Sequence, residues 1–187
     1  MKKQFLLLVA IISLSTSVSF AQKFAGGVHL GFSTLKGDLS GGGLNWILEG
    51  KYFVTENLAV GAEYNSSIMK AKGGGLLDGF YGGKQFLAKA EYFLGSKKVK
   101  PYAGLGLGYA SVETPKTTVG TIVYPAVKKA GFGLSPRLGL MLGNFALEFQ
   151  YNIAGRTPKE TGVAQADKKF NFMTFNVGYI YTFDLKN

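Results

Sequence analysis

The chain has 187 residues, 21 of them Lys or Arg against 11 Asp or Glu, a formal charge of +10, no cysteine and one histidine. The missing thiol excludes a disulfide scaffold, a cysteine nucleophile and a cysteine-ligated metal, and a single histidine excludes a histidine-based metal cluster. Its 27 glycines, 15 phenylalanines and 10 tyrosines are a heavy load for a water-soluble domain of this length.

At the N-terminus Lys2 and Lys3 precede an apolar run, residues 5–14, and then a small-residue stretch that ends at Ala21. This order reads as a secretory signal peptide, residues 1–21, cleaved before Gln22. Its apolar run is too short to cross a bilayer as a helix. Residues 22–187 are the length of one domain, and losing Lys2 and Lys3 lowers the formal charge from +10 to +8. No uncharged apolar run of about 18 residues remains for a transmembrane helix, so any membrane crossing would be made by strands.

From Gln22 onward, hydrophobicity alternates at period 2 in eight segments, and successive side chains of a strand point to opposite faces. Residues 24–34 put Val28, Leu30 and Phe32 on one face and Gly27, His29, Gly31 and Ser33 on the other. Residues 44–54 oppose Leu44, Trp46, Leu48 and Tyr52 to Asn45, Glu49 and Lys51, and residues 58–69 oppose Val60, Ala62 and Tyr64 to Glu63, Asn65 and Ser67. The fourth segment, 84–94, sets Phe86 and Tyr92 against Gln85, Lys89 and Glu91, and the fifth, 102–112, sets Leu105, Leu107 and Tyr109 against Gly104, Gly106 and Gly108. Residues 130–142 pair Phe132, Leu134 and Leu138 with Gly133, Ser135 and Arg137, and Pro136 within them removes a ladder hydrogen bond and predicts a bulge. Residues 145–153 set Phe145, Leu147 and Phe149 against Ala146, Glu148, Gln150 and Asn152. The last segment, 170–183, opposes Phe175, Val177, Tyr179, Tyr181 and Phe183 to Thr174, Asn176 and Gly178.

The connections sort by length. Residues 55–57, 95–100 and 143–144 are tight, whereas 35–43, 70–83, 113–129 and 154–169 are long. Eight strands with short turns at one end and long connections at the other predict an all-β fold, an eight-stranded antiparallel up-and-down transmembrane β-barrel. Closure satisfies every backbone group, the condition for spanning hydrocarbon.

The chain's end carries polar, any, Gly, any, any, aromatic, any, aromatic in Asn176, Gly178, Tyr181 and Phe183, followed by Asp184 to Asn187. This pattern resembles the C-terminal assembly signal of bacterial outer-membrane β-barrel proteins, many of which stop at the aromatic. The whole mature chain resembles the eight-stranded barrels of the OmpA-transmembrane-domain and OmpX type, the outer membrane protein β-barrel or porin family. That resemblance implies a Gram-negative cell envelope, location in the outer membrane, and insertion by the barrel assembly machinery. Barrels of this kind that modify lipids carry a Ser–His pair on the lipid-facing side, but parity turns His29 inward, and no enzymatic activity is expected. The Gly-Leu-Gly-Leu-Gly run at 104–108 lies inside a strand and lacks the helix a dinucleotide loop needs. No cofactor and no metal are expected.

By parity Glu49, Lys51, Glu63, Lys89, Glu91, Arg137 and Glu148 point inward at one level, and Ile47, Leu87, Phe172 and Ile180 point inward among the polar residues. The seven charges predict a salt-bridged layer: a structural polar core in one reading, a gated proton or ion path in the other. Beyond the layer the inward residues shrink to Gly27, Gly31, Gly104, Gly106, Gly108, Gly133, Ser67 and Ser135, which predicts a cup open to the outside unless the glycines only relieve crowding. The second, third and fourth long connections each carry about two surplus positive charges, counting Lys70, Lys72 and Lys84, Lys116, Lys128 and Lys129, and Arg156, Lys159, Lys168 and Lys169. These are either solvated loop charges or contacts for lipopolysaccharide phosphates. Three functions stay open: a structural and surface-interaction barrel, monomeric, meeting outer-membrane lipids and lipopolysaccharide but not nucleic acid; a narrow porin-like channel or small-ligand carrier of the OmpW kind; and a soluble, lipocalin-like barrel.

Overall fold

Period-2 alternation extends further than the predicted segments. The computed structural model describes residues 23–36, 40–72, 79–95, 98–113, 117–119, 122–124, 128–156 and 169–184. The strands are β1 (Lys23–Lys36), β2 (Ser40–Phe53), β3 (Leu58–Lys72), β4 (Gly79–Phe93), β5 (Val99–Glu113), β6 (Thr117–Val119), β7 (Ile122–Tyr124), β8 (Lys128–Leu142), β9 (Phe145–Arg156) and β10 (Lys169–Asp184). Eight of them close a barrel in the order β1-β10-β9-β8-β5-β4-β3-β2, every neighbouring pair antiparallel, while β6 and β7 form a separate two-stranded sheet between β5 and β8. The predicted signal peptide lies outside the described residues.

The first and last strands meet along a seam from Lys23 opposite Asp184 to Lys36 opposite Asn171. Phe24 and Phe183 face one another across it with ring centroids 6.5 Å apart, and Tyr181 packs edge-on against Phe183 at 4.6 Å. Each of the eight strands pairs with a neighbour on both sides, the β8–β9 ladder running from Leu134 to Leu142 with a gap at Ser135 and Pro136.

The tight turns are fastened by specific bonds. In the β2–β3 turn Thr55 Oγ1 accepts from the backbone N–H of Asn57 and of Leu58, at 3.2 and 2.9 Å, and Asn57 Nδ2 donates to the carbonyl of Phe93 at 3.0 Å. The β8–β9 hairpin turns on Gly143 and Asn144, with Gly143 at φ +61°, the left-handed value a two-residue hairpin requires at its first position.

Expectations about two connections and one strand change. The second predicted long connection, 70–83, shrinks to 73–78, and only residues 37–39 separate β1 from β2, so the first is short. Its glycines belong to β2 instead: Gly41 holds φ +143°, and a Cβ on Gly42 would lie 2.8 Å from the Phe32 ring. A run of glycines looks like a loop in sequence, yet here it lets two strands approach. Pro136 makes no bulge either. It keeps its register with Leu105, and on the other side Leu134 faces Ile153 and Arg137 faces Gln150, three residues on along each strand, so no residue is inserted. The one register shift between β9 and β10 falls between Lys169 and Asn171.

Candidate functional site: the lumen

The inward face of the barrel is stacked in four tiers, each built from equivalent positions on successive strands. At the short-turn end Phe53, Phe93, Tyr102, Met141 and Ile180 form an apolar floor with Ala25, Ala59 and Ala146. The Phe93 ring lies 5.6 Å from Phe53 and 5.0 Å from Tyr102. One step in comes the charged tier, and next a tier of amides and hydroxyls from Asn45, Asn65, Gln85, Gln150, Asn152, Asn176, Ser33, Ser67 and Thr174. At the long-connection end Leu35, Met69, Tyr81, Val112, Phe170 and Phe172 pack with Ala110 and Ala154 as an apolar lid.

All seven charges predicted to point inward do so, and each is at most 8% exposed. They form one connected network. Lys51 Nζ lies 2.9 Å from Glu49 and 2.8 Å from Glu91, and Lys89 Nζ lies 2.7 Å from Glu91, bonds Glu49 and reaches Glu63 at 3.9 Å. Arg137 pairs with Glu63 and lies 3.7 Å from Glu91 and 3.8 Å from Glu148. Four carboxylates thus share three cations, and His29 Nε2 sits 3.3 Å from the Oε1 of Glu49. A charge isolated in this position would carry a desolvation cost of several kcal/mol by general estimates. Mutual pairing offsets that cost.

The network continues toward the lid through neutral groups. Gln150 donates to Glu148 at 2.7 Å, Asn65 to Gln150 at 3.2 Å, Ser67 to Asn65 at 3.3 Å and Ser33 to Ser67 at 3.4 Å. A separate set in the same tier joins Asn45 to Asn176 at 2.6 Å and Asn176 to Thr174 at 3.1 Å. Ser33 and His29 are not brought together: four residues along one strand is about 13 Å, and Ser33 bonds Ser67 instead.

The glycines do not open a cup. A Cβ on Gly27 would stand 3.0 Å from the Glu49 side chain, on Gly104 3.0 Å from Arg137 Cγ, on Gly106 2.7 Å from Arg137 Nη2, and on Gly133 3.2 Å from Leu87. At Gly31 the Asn176 side chain occupies the space. Large side chains from other strands fill the room that small ones leave, the second of the two readings in the sequence.

Sequence reasoning missed Tyr102. Its hydroxyl donates to Glu148 at 3.0 Å, and with Phe93 it flanks the Lys51 ammonium, which lies 5.8 Å from the Tyr102 ring and 5.6 Å from that of Phe93. The signal was available, because Tyr102 shares the parity of Gly104. Replacing it with Phe removes one bond to a buried carboxylate, and urea unfolding of Tyr102→Phe in lipid vesicles is expected to show a loss of about 1.5–3 kcal/mol.

The assembly-signal residues split between the faces. Asn176 is inward, bonded to Asn45, and Gly178 backs onto the His29 ring, whereas Tyr181 and Phe183 lie on the outer wall about half exposed. Of the basic residues assigned to the long connections, Lys116, Lys159 and Lys168 lie outside the described residues. The described ones do not belong to loops: Lys84 sits within β4, facing outward, in register with Ser66 and Ser111, and Lys70, Lys72, Lys128, Lys129, Arg156 and Lys169 lie at the ends of β3, β8, β9 and β10.

No protein-family model matches the sequence, and no curated protein matches it. Solved structures do. Neisserial surface protein A superposes with a TM-score of 0.61 at 18% identity, covering 86% of this chain and 97% of its own. The fold is that of the eight-stranded outer-membrane barrels. Ail, the attachment invasion locus protein of Yersinia pestis, matches with a TM-score of 0.51 at 15% identity over 87% of this chain and 100% of Ail, and one of its crystal structures is a complex with the heparin analogue sucrose octasulfate. The outer membrane protein OprG from Pseudomonas aeruginosa gives 0.52 at 14% identity over 88% of this chain and 99% of OprG. What these proteins share with the present chain is architecture.

Proposed function

We propose that the protein is an integral β-barrel of the Gram-negative outer membrane, monomeric and not an enzyme, with a lumen closed to solutes and a structural and surface-interaction role exercised through its long connections. The observation that carries this reading is the inversion of polarity. Among the described residues the inward face holds seven charged side chains and a tier of amides, while the outer wall exposes Leu30, Leu44, Phe86, Phe132, Leu138, Phe175 and many other large apolar groups at 38–72%. A soluble monomer rarely exposes a contiguous apolar patch beyond a few hundred Å². Hydrocarbon is the solvent that suits such a wall, and aromatic residues such as Phe24, Tyr181 and Phe183 at one end of it match an interfacial girdle. A lipocalin has the opposite arrangement, an apolar interior for an apolar ligand.

Residues 1–21 would direct export and be removed, and Asn176, Gly178, Tyr181 and Phe183 would be read by the assembly machinery. The closed lumen rests on the paired charged tier between an apolar floor and an apolar lid. For partners we favour lipopolysaccharide and other polyanions: the exposed Lys70, Lys84 and Lys128 supply positive charge near the long-connection end, and the structurally similar Ail has been crystallised with a polyanion.

The test is to refold the mature protein, follow its migration on unboiled and boiled gels, and record current across a planar bilayer from the same sample. A heat-modifiable, bilayer-inserted and silent protein is expected. Steady conductance would replace the closed barrel with the channel reading and direct mutagenesis to Glu49, Glu63 and Arg137. Free solubility with no heat shift would remove the membrane reading altogether.

A further inference from the structure

The outer wall of β2, β3 and β4 near the long-connection end departs from a smooth apolar band. In register across the three strands lie Gly42, Lys70 and Phe80, then Leu44, Ile68 and Gly82, then Trp46, Ser66 and Lys84. Short residues alternate with tall ones. The result is a groove of about 450 Å³ whose sides include Leu30, Leu44, Trp46, Ile68 and Phe80, with Lys70 at its rim. Such a trough is shaped for a hydrocarbon chain lying against the wall.

The two lysines give the groove a sign. Both are exposed, and neither has an ion pair or hydrogen bond among the described residues. Lys84 starts four residues nearer the middle of the barrel than the row of Lys70, about 13 Å along the strand. Its long stem is able to climb to the interface, and the next outward residue of β4 is Gly82, which presents no side chain in its path. A Cβ there would meet only Glu113, at 3.8 Å. That acid is also in register with Lys128 on its other side. Ser66, half-buried, flanks Lys84 on β3 and adds a hydroxyl donor at the same level.

We propose that this wall binds one phosphorylated, acylated glycolipid of the outer leaflet, the chemistry of the lipid A portion of lipopolysaccharide, with an acyl chain in the Leu44–Ile68 groove and its phosphate on Lys70 and Lys84. The inference rests on the outer-membrane reading, which places the long-connection end in the leaflet where such lipids reside. Charge complementarity selects the occupant: exposed cations at both ends of an apolar trough, Lys70 toward the long-connection end and Lys84 beside its inner end, fit an anionic lipid and give no gain with a zwitterionic one.

Native mass spectrometry of the detergent-refolded protein, mixed with equal amounts of lipid A bisphosphate, phosphatidylglycerol and phosphatidylethanolamine, tests it. Lipid A is expected to be the adduct that survives activation. The double variant Lys70→Gln/Lys84→Gln should weaken its retention on the order of tenfold, and Ser66→Trp, which fills the groove, should lower retention while the lysines are intact. Heat-shifted migration reports folding of each variant, and if Ser66→Trp fails to fold the exposed lysine pair decides alone. Equal retention by wild type and the lysine variant, or retention of phosphatidylethanolamine as strong as that of lipid A, overturns the site while leaving the membrane barrel intact. A wild-type protein that neither shifts on heating nor inserts into vesicles overturns the barrel's membrane reading and this site with it.

Discussion

Arg137→Met is expected to destabilise the barrel by about 3–5 kcal/mol, because it strips the cation from buried carboxylates that have no water to turn to. Arg137 is 2% exposed, pairs with Glu63, and stands within 4 Å of Glu91 and Glu148 as well. Without it the other cation within reach of Glu63 is Lys89, at 3.9 Å, which already serves Glu49 and Glu91. The comparison that isolates the pair is the double variant Arg137→Met/Glu63→Gln. Removing both charges takes away the unpaired carboxylate, so the double variant should recover most of the loss, whereas Arg137→Lys should recover only part, a point charge being unable to address three carboxylates as a guanidinium fork does. Urea unfolding in lipid vesicles, followed by tryptophan emission from Trp46, measures each step. An Arg137→Met midpoint that corresponds to less than about 1 kcal/mol would mean that the tier is not what holds the interior together.

The same residue shows where reading a sequence stops. Parity is a local property: the backbone alternates every residue, so the inward placement of Glu49, Lys51, Glu63, Lys89, Glu91, Arg137 and Glu148 follows from counting along each strand. The level at which they meet follows too, from their distance to the short turns. What fills the lumen does not. The space beside Gly104 and Gly106 on β5 is taken by Arg137 from β8, and that beside Gly133 by Leu87 from β4. These contacts come from adjacent and next-but-one strands, Gly104 standing in register with Arg137 itself, and a glycine in sequence carries no sign of whether its room stays open. Strand ends were illegible for a related reason. Above the apolar belt the alternation weakens into glycine and polar residues, as at 40–43 and 79–83, and composition of that kind also describes a loop. Ladder hydrogen bonds continue there because a neighbouring strand is already in place. Lys84 lies in such a stretch, next to Gly82 and Gly83, and belongs to β4. Tyr102 is a different case: counting from Gly104 turns it inward, but its bond to Glu148 joins β5 to β9, two strands away, and parity along one strand does not show that.

Leu107→Arg is the substitution that separates a wall in hydrocarbon from a wall in water. Leu107 is 43% exposed, lies in the middle of β5 between Ala88 and Leu134, and makes no part of the lumen network. On a soluble barrel, arginine at a half-exposed surface position should change stability by no more than about 0.5 kcal/mol. At the centre of a bilayer the guanidinium must be dragged from water or must thin the membrane around itself, and the expected loss is about 2–4 kcal/mol. Depth dependence provides the internal control. Arginine in place of Val99, at the short-turn end of the same strand, and of Glu113, at its far end, should cost only about 0–1 kcal/mol, because those positions reach the interfaces. The three variants share a strand and a face, so differences in strand propensity largely cancel. A maximum at Leu107 in unfolding from vesicles, absent when the same proteins are unfolded from short-chain detergent micelles that let water approach the wall, is the expected pattern. A flat profile across Val99, Leu107 and Glu113 would show that β5 does not cross hydrocarbon, whatever the polarity of its two faces suggests.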